Sequence, residues 1–331
     1  MIGKLPLAHE LWFVDDVPAR DWSFAGEWRS LVLLGLAVAA TLGVRALATR
    51  RPGIDVPLLA RLAPWMPFAV RIHLAVALVG LLSAGFYLAP SLELGKTVPG
   101  FLLGGIMAVT AVLLVTGWRV RVAAMLLVAA GPVGMAVYGF DAILQRADLL
   151  GLALFLLLAG AGRWSADAEL GRDPEPTRER LGQAVWALRL ATGVSLIVVA
   201  FVEKLANPAL AEKFLDSQSV QFNLAQAVGL PVSDTEFVRV AGALEVLFGL
   251  LVLSGALPQL VVLAAGIPFN ATLYFFGTIE LLGHLPIYAA MLVLLVYGSS
   301  PELRPWCSRL WPFGRGSGLA FRPAAGSARL R

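Results

Sequence analysis

The sequence predicts an all-α polytopic membrane protein with nine transmembrane helices: one leading helix plus two parallel four-helix repeats. Three observations predict it. Hydrophobic residues make up 58% of the 331 positions and charged residues only 15%, where soluble domains run near half and a quarter. The mean hydropathy is +0.78, and the apolar residues fall in blocks close to the ~20 that carry a helix across a bilayer. Several landmarks of the first blocks then recur, in order, in the later ones.

Residues 1–28 read as an extracytoplasmic segment. Trp12, Phe13, Trp22, Phe24 and Trp28 stand there among Asp and Glu, and such aromatics favour the headgroup layer. The opening MIGKLPLAHELWF lacks an apolar core bounded by a small-residue cleavage site, so no cleaved signal is expected. An extra transmembrane helix comes next, at 29–49. A first four-helix repeat, 64–162, holds apolar blocks at 67–89, 101–117, 120–139 and 148–162. A second, 184–299, holds blocks at 184–206, 236–255, 257–277 and 284–299, and 300–331 form a tail.

Lys and Arg favour cytoplasmic loops. Arg50, Arg51, Arg61, Arg119, Arg121, Arg163, Arg172, Arg178, Arg180 and the tail arginines occupy alternate loops, whereas the intervening loops hold Lys4, Arg20, Lys96, Arg146 and Lys213. The expected topology is N-terminus outside and C-terminus cytoplasmic, in a bacterial cytoplasmic (inner) membrane. This orientation accounts for the net charge of +4 and the pI near 9.5, so a nucleic-acid partner is not expected. The single Cys307 excludes an intrachain disulfide.

The repeat is carried by spacing. Arg71 recurs 118 residues on as Arg189, and LAPSL (88–92) as ANPAL (206–210). At an offset of 138, Gly104 meets Gly242, Gly117 meets Gly255 and Gly139 meets Gly277. Four helices per unit is an even number, which gives both units one orientation and relates them by an axis along the membrane normal. The second unit carries a longer loop, in which Asn207-Pro208 reads as a helix start and Ser233 with Glu236 as a capping box. Arg71 and Arg189 open helices where either lipid phosphates or loop carbonyls could take them.

Polar residues inside a bilayer usually face a protein interior or a wet cavity. Glu203, Lys204, Glu245, Asn270, Tyr274, Glu280 and His284 all fall in the outer third of the second unit. Their first-unit counterparts are Gly85, Phe86, Met107, Pro132, Ala136, Ala142 and Arg146. One unit reads as scaffold and the other as site-bearing. Glu245, His284, Lys204 and Glu203 are the groups expected to carry chemistry. Asn270, Tyr274, Glu280 and His9 are expected to contact a ligand, and no metal is specified.

RLATGVSLIVVAFVEKLANPA (189–209), AGALEVLFGLLVLSG (241–255) and GHLPIYAAMLVLLVYG (283–298) resemble the DoxX-like membrane family. The pattern is an Arg-opened helix ending in Lys-Leu before Asn-Pro, then a helix with Gly-x-x-Glu-x-x-x-Gly. The resemblance covers roughly 184–299 and implies a four-helix unit associated with redox systems. The expectation is a membrane subunit binding a lipophilic redox molecule, a quinone, near the outer face. It would have no intrinsic cofactor, and a partner protein would supply the electrons. The alternatives are a proton-coupled or metal-ion transporter, with Glu203, Glu245, Glu280 and His284 as ligands, and a membrane anchor or assembly factor.

Overall fold

The computed structural model describes residues 11, 14, 16–217, 222–276 and 278–313, and of 272, 275, 276 and 278–280 the backbone alone. The elements in order are α1 (Trp22–Gly26), α2 (Trp28–Arg50), α3 (Pro57–Ala60), α4 (Met66–Ser83), α5 (Val98–Thr116), α6 (Val120–Tyr138), α7 (Phe140–Leu144), α8 (Ala147–Ala159), α9 (Ala166–Glu169) and α10 (Arg178–Val199). A π-helical turn, Ala200–Leu205, continues α10. Then come α11 (Pro208–Ser217), α12 (Leu224–Ala227), α13 (Asp234–Ser254), α14 (Pro258–Phe276), α15 (Thr278–Gly298) and α16 (Arg304–Cys307). Among the described residues the only β pairing is an isolated antiparallel bridge, Phe86 with Glu93.

Among the described residues, seven helices are long and apolar enough to cross a membrane, and two further apolar stretches, Ala147–Ala159 and Pro258–Ala271, are shorter. The chain is therefore a helical membrane protein. Some expected boundaries shift for local reasons. The block 67–89 ends as a helix at Ser83, because Gly85 turns the chain at φ +83° and the remainder folds back through the Phe86–Glu93 bridge. The block 184–206 starts earlier, at Arg178, where the Thr177 hydroxyl accepts the Arg180 amide at 3.2 Å. The last block begins at Thr278, so His284 lies in its second turn and does not open it.

α8 packs along α10 and α15 along α4 at the centre of the bundle. α5 flanks α4, α13 flanks α10, and α2 lies outermost against α13. Leu74, Leu103, Leu152, Phe155, Leu188 and Val293 are completely buried. Leu31, Leu36, Phe101, Val112 and Ile267 are exposed, as suits side chains that meet hydrocarbon. With no hydrophobic drive between helices in lipid, close packing and internal polar contacts hold the bundle together.

Two arginines carry much of that polar work. Arg71 on α4 and Arg189 on α10 are 0% and 1% exposed. Arg71 donates to Leu114 O at 3.0 Å in the last turn of α5, and to Trp164 O at 2.7 Å. Arg189 donates to Leu253 O at 3.2 Å in the last turn of α13, to Arg309 O at 2.9 Å and to Cys307 O. Loop and helix-end carbonyls, and not lipid phosphates, take both side chains. In each case the helix ends on a left-handed glycine, Gly117 at φ +66° and Gly255 at φ +63°. A Cβ at either glycine would run into the guanidinium. The glycine is thus required twice over, for its backbone conformation and for the room it leaves.

At the other end, here the capped end, α1, α11 and α12 cover the bundle. Arg239 on α13 is 3% exposed and fastens the N-terminal segment. It donates to Glu27 Oε2 at 2.8 Å and to the Ser30 hydroxyl, and lies 3.9 Å over the Phe24 ring. The Asp21 amide donates to Ala206 O at 2.8 Å, and Trp22 stacks on Phe201 at 6.2 Å. Asn207 caps α11 through Leu210 N at 3.3 Å, and the Ser233 hydroxyl accepts Glu236 N at 3.3 Å. The Glu236 carboxylate turns instead to Arg29, at 2.6 Å. Trp12, Phe13 and His9 lie outside the described residues.

Replacing Arg189 with Met should destabilise the protein by roughly 3 kcal/mol or more, since three carbonyls lose a charged donor where water is scarce. Gly255→Ala should cost about 2 kcal/mol through strain and collision. Thermal denaturation in detergent micelles reads both, and midpoints equal to that of the unaltered protein would disprove the staple.

Candidate functional site

The sequence of α10 places Glu203 and Lys204 side by side, and the π turn decides where each one goes. Within it the Ala206 amide bonds Phe201 O, five residues back, at 2.7 Å. One extra residue in a helical turn rotates the residues beyond it, and such turns often sit at functional positions. Lys204 lines a cavity of about 320 Å3, while Glu203, 1% exposed, lines a neighbouring one of about 270 Å3. Lys204 Nζ meets Glu245 Oε1 on α13 at 3.0 Å, with side-chain exposures of 11% and 33%.

Glu245 lies ~16 Å along α13 from Asp234 at 1.5 Å per residue, too deep for a short carboxylate to reach water unaided. The Lys204 ammonium answers that need. His284, 5% exposed, lines the same cavity, and the Phe269 ring meets it edge-on at 4.9 Å. Three of the four residues expected to carry chemistry therefore share one hollow, and the fourth lies behind it.

The other expectations fare differently. Asn270 is exposed and donates to Gly266 O on its own helix at 2.7 Å, and Tyr274 is 84% exposed. Neither lines the cavity. They fall on the outer face of α14, because the helical repeat carries 267, 270 and 274 to the same side as one another and away from Phe269. The side chain of Glu280 lies outside those described, as does His9.

Three lining residues come from the segment read as scaffold: Gln145, Arg146 and Asp148. Their placement comes from chain length. α8 has thirteen residues, ~20 Å of helix against a hydrocarbon layer of ~30 Å. Its polar start therefore lies inside the bundle, and α7 fills the space above. Arg146 Nη2 donates to Gly283 O on α15 at 3.1 Å and faces Asp148 Oδ2 at 3.5 Å. The Ser195 hydroxyl on α10 donates to Gln145 O. In the sequence Arg146 reads as an outer-loop basic residue and as the expected counterpart of His284 in the repeat, and that expected correspondence is the signal that could have found it.

The walls are apolar. Phe237, Leu244 and Phe248 on α13 face Pro268 and Phe269 on α14, and Leu224 of α12 closes the capped end. α5 packs closely on α6, but α13 scarcely touches α14, and the cavity occupies that gap. Leu244 and Val240 line it while remaining 48% and 42% exposed, so the hollow opens sideways toward lipid.

The smaller cavity lies behind, sharing Gln145, Arg146 and Val199 with the larger. Arg20 of the N-terminal segment crosses it to pair with Asp141. Burial works to raise the Asp141 carboxyl, but the hydrogen bond and charge of Arg20 outweigh it and hold the group below the usual carboxylate range. Cys307 sits at the far end of the bundle, 5% exposed, and burial pushes its thiol up to about 12 against the opposing charge of Arg189. That thiol stays protonated and takes no part in the site. Among the described residues no three of His, Cys, Asp and Glu are placed to hold a metal ion.

A double-mutant cycle tests the central ion pair. Lys204→Met and Glu245→Gln should each destabilise the protein, and the double variant should recover about 1 kcal/mol relative to their sum, because each single change removes one member of a partly buried pair. Reversible unfolding in mixed micelles measures the coupling, and additive losses would dissolve the pair. No family model, curated protein or solved structure matches the chain.

Proposed function

We propose that the chain is a DoxX-like membrane subunit that binds a lipophilic redox molecule of the quinone class in the larger cavity and works with a redox partner protein. One observation carries the reading. A hollow of about 320 Å3 combines apolar walls open toward lipid with a polar floor of Lys204, Glu245 and His284. That volume is typical of small-molecule sites. An isoprenoid or alkyl chain fits the gap between α13 and α14. A ring with two carbonyls needs hydrogen-bond donors on the floor, and Lys204 can donate to one oxygen while stabilising an anionic reduced form. His284 and Glu245 are suited to hold or move the protons that accompany reduction.

The wider architecture proposed is nine membrane helices, one leading helix and two parallel four-helix units, in a bacterial inner membrane with the N-terminus outside. The pairing of α8 with α10 and of α4 with α15 supports the duplication, as each pair becomes the other when the units exchange. The matching environments of Arg71 and Arg189 support it too. The unpaired gap is then a departure of the second unit from the first. The transport reading has less support, because the half of the bundle below the cavities is filled by Val185, Leu188, Phe155 and Tyr297, all buried.

Protein extracted in mild detergent should release a quinone detectable by mass spectrometry, and the stripped protein should rebind a short-chain quinone. Glu245→Gln should weaken that binding about tenfold, the equivalent of 1.4 kcal/mol. No quinone released and none rebound, with a solute flux in liposomes, would replace this reading with transport.

A further inference from the structure

The segment around α12, residues 223–232, is built inside out. No charged residue falls between Asp216 and Asp234. Leu224 is 65% exposed, Val228 75% and Leu230 55%, so three large apolar side chains of one short loop turn away from the protein. The polar side chains turn the other way. Asn223 is completely buried and donates through Nδ2 to Val232 O at 3.1 Å and to Asp234 Oδ1 at 2.8 Å. Gln226 Nε2 donates to Val232 O at 2.8 Å. The backbone is equally closed. The amides of residues 226–230 and 232 all donate to oxygens of the segment itself, at 2.8–3.3 Å, and position 231 is a proline with no amide to place. The neighbouring α11 is built the ordinary way. Its Leu210 and Phe214 are buried, and Lys213 stands outward, paired with Asp16 at 3.3 Å.

Apolar side chains held out into water are unfavourable, and a backbone that meets its own donors is what a hydrocarbon boundary demands. We infer that residues 223–232 form an interfacial hairpin that sinks its apolar face into the bilayer leaflet at the capped end of the bundle. Continuity with the flank of the bundle selects lipid over a protein partner. Leu224 lines the larger cavity together with Val240 and Leu244 of α13, which are themselves exposed. The patch therefore extends a surface already turned toward hydrocarbon. A protein interface would also carry about one hydrogen bond per 100–200 Å2, and the hairpin directs its donors inward. The hairpin borders the lateral mouth of the cavity, so that mouth opens within the leaflet and not into water. This holds whatever molecule occupies the cavity.

Nitroxide labels on the full chain, in nanodiscs of phosphatidylcholine, measure the depth. Val228→Cys and Leu230→Cys carry the test labels. Lys213→Cys on α11 gives the reference for water, and Leu36→Cys, exposed on α2, the reference for hydrocarbon. Cys307 is buried, and the unaltered protein, put through the same labelling, checks that it takes up no nitroxide. Collisions with dissolved oxygen, set against those with a water-soluble nickel chelate, should place the labels at 228 and 230 roughly 5–10 Å into the boundary between headgroups and acyl chains. Both side chains are mostly exposed, so little packing is lost, and the two positions check each other. Chelate access at 228 and 230 equal to that at 213 would overturn the inference and leave a loop in water. Labels shielded from both reagents would also overturn it, and would assign the patch to contact with protein. Neither result touches the quinone reading, because the measurement needs no quinone.

Discussion

Carbonyls left over at the end of a helix have no water to turn to inside a bilayer, and something within the protein has to meet them. Arg71 and Arg189 do this from α4 and α10, each reaching the last turn of a neighbouring helix and a loop segment further along the chain. A guanidinium has donors enough for several carbonyls at once and stays charged under all ordinary conditions. Each arginine therefore ties three pieces of chain together at one point. The glycines beside them, Gly117 and Gly255, exist to let the planar groups in. With these points fixed, the tilt and register of α4 and α10 are fixed, and α10 delivers the π turn to the capped end.

From there the site is a consequence of lengths and separations. α10 is long and ends in a turn that swings Glu203 and Lys204 into different hollows. α8 is short and begins below the surface, which buries Gln145, Arg146 and Asp148 beside them. α13 and α14 part, whereas α5 and α6 stay together. The gap leaves the charged floor open toward the side of the bundle. A second cavity that shares Arg146 as a wall gives the floor a polar neighbour at the capped end, beside the Arg20–Asp141 pair.

The amphipathic character of the larger cavity also explains why its charges are paired and not bare. Lys204 with Glu245 and Arg146 with Asp148 keep the local charge near balance in a medium where a lone ion would be very costly.

The sequence alone determined the class, an all-helical membrane protein, because a bilayer imposes a length on apolar runs and that length is written along the chain. It pointed to Lys204, Glu245 and His284 because charged and titratable groups inside apolar runs are rare enough to stand out. Only the tertiary structure decided which of them share a hollow. Facing depends on small rotations that composition does not record. One π turn separates Glu203 from Lys204, and the helical repeat sends Asn270 and Tyr274 outward. Asp148 was hidden for a related reason. At the head of a short helix it reads as a surface residue, and it becomes part of the site only when two distant segments pack and carry it below the membrane surface.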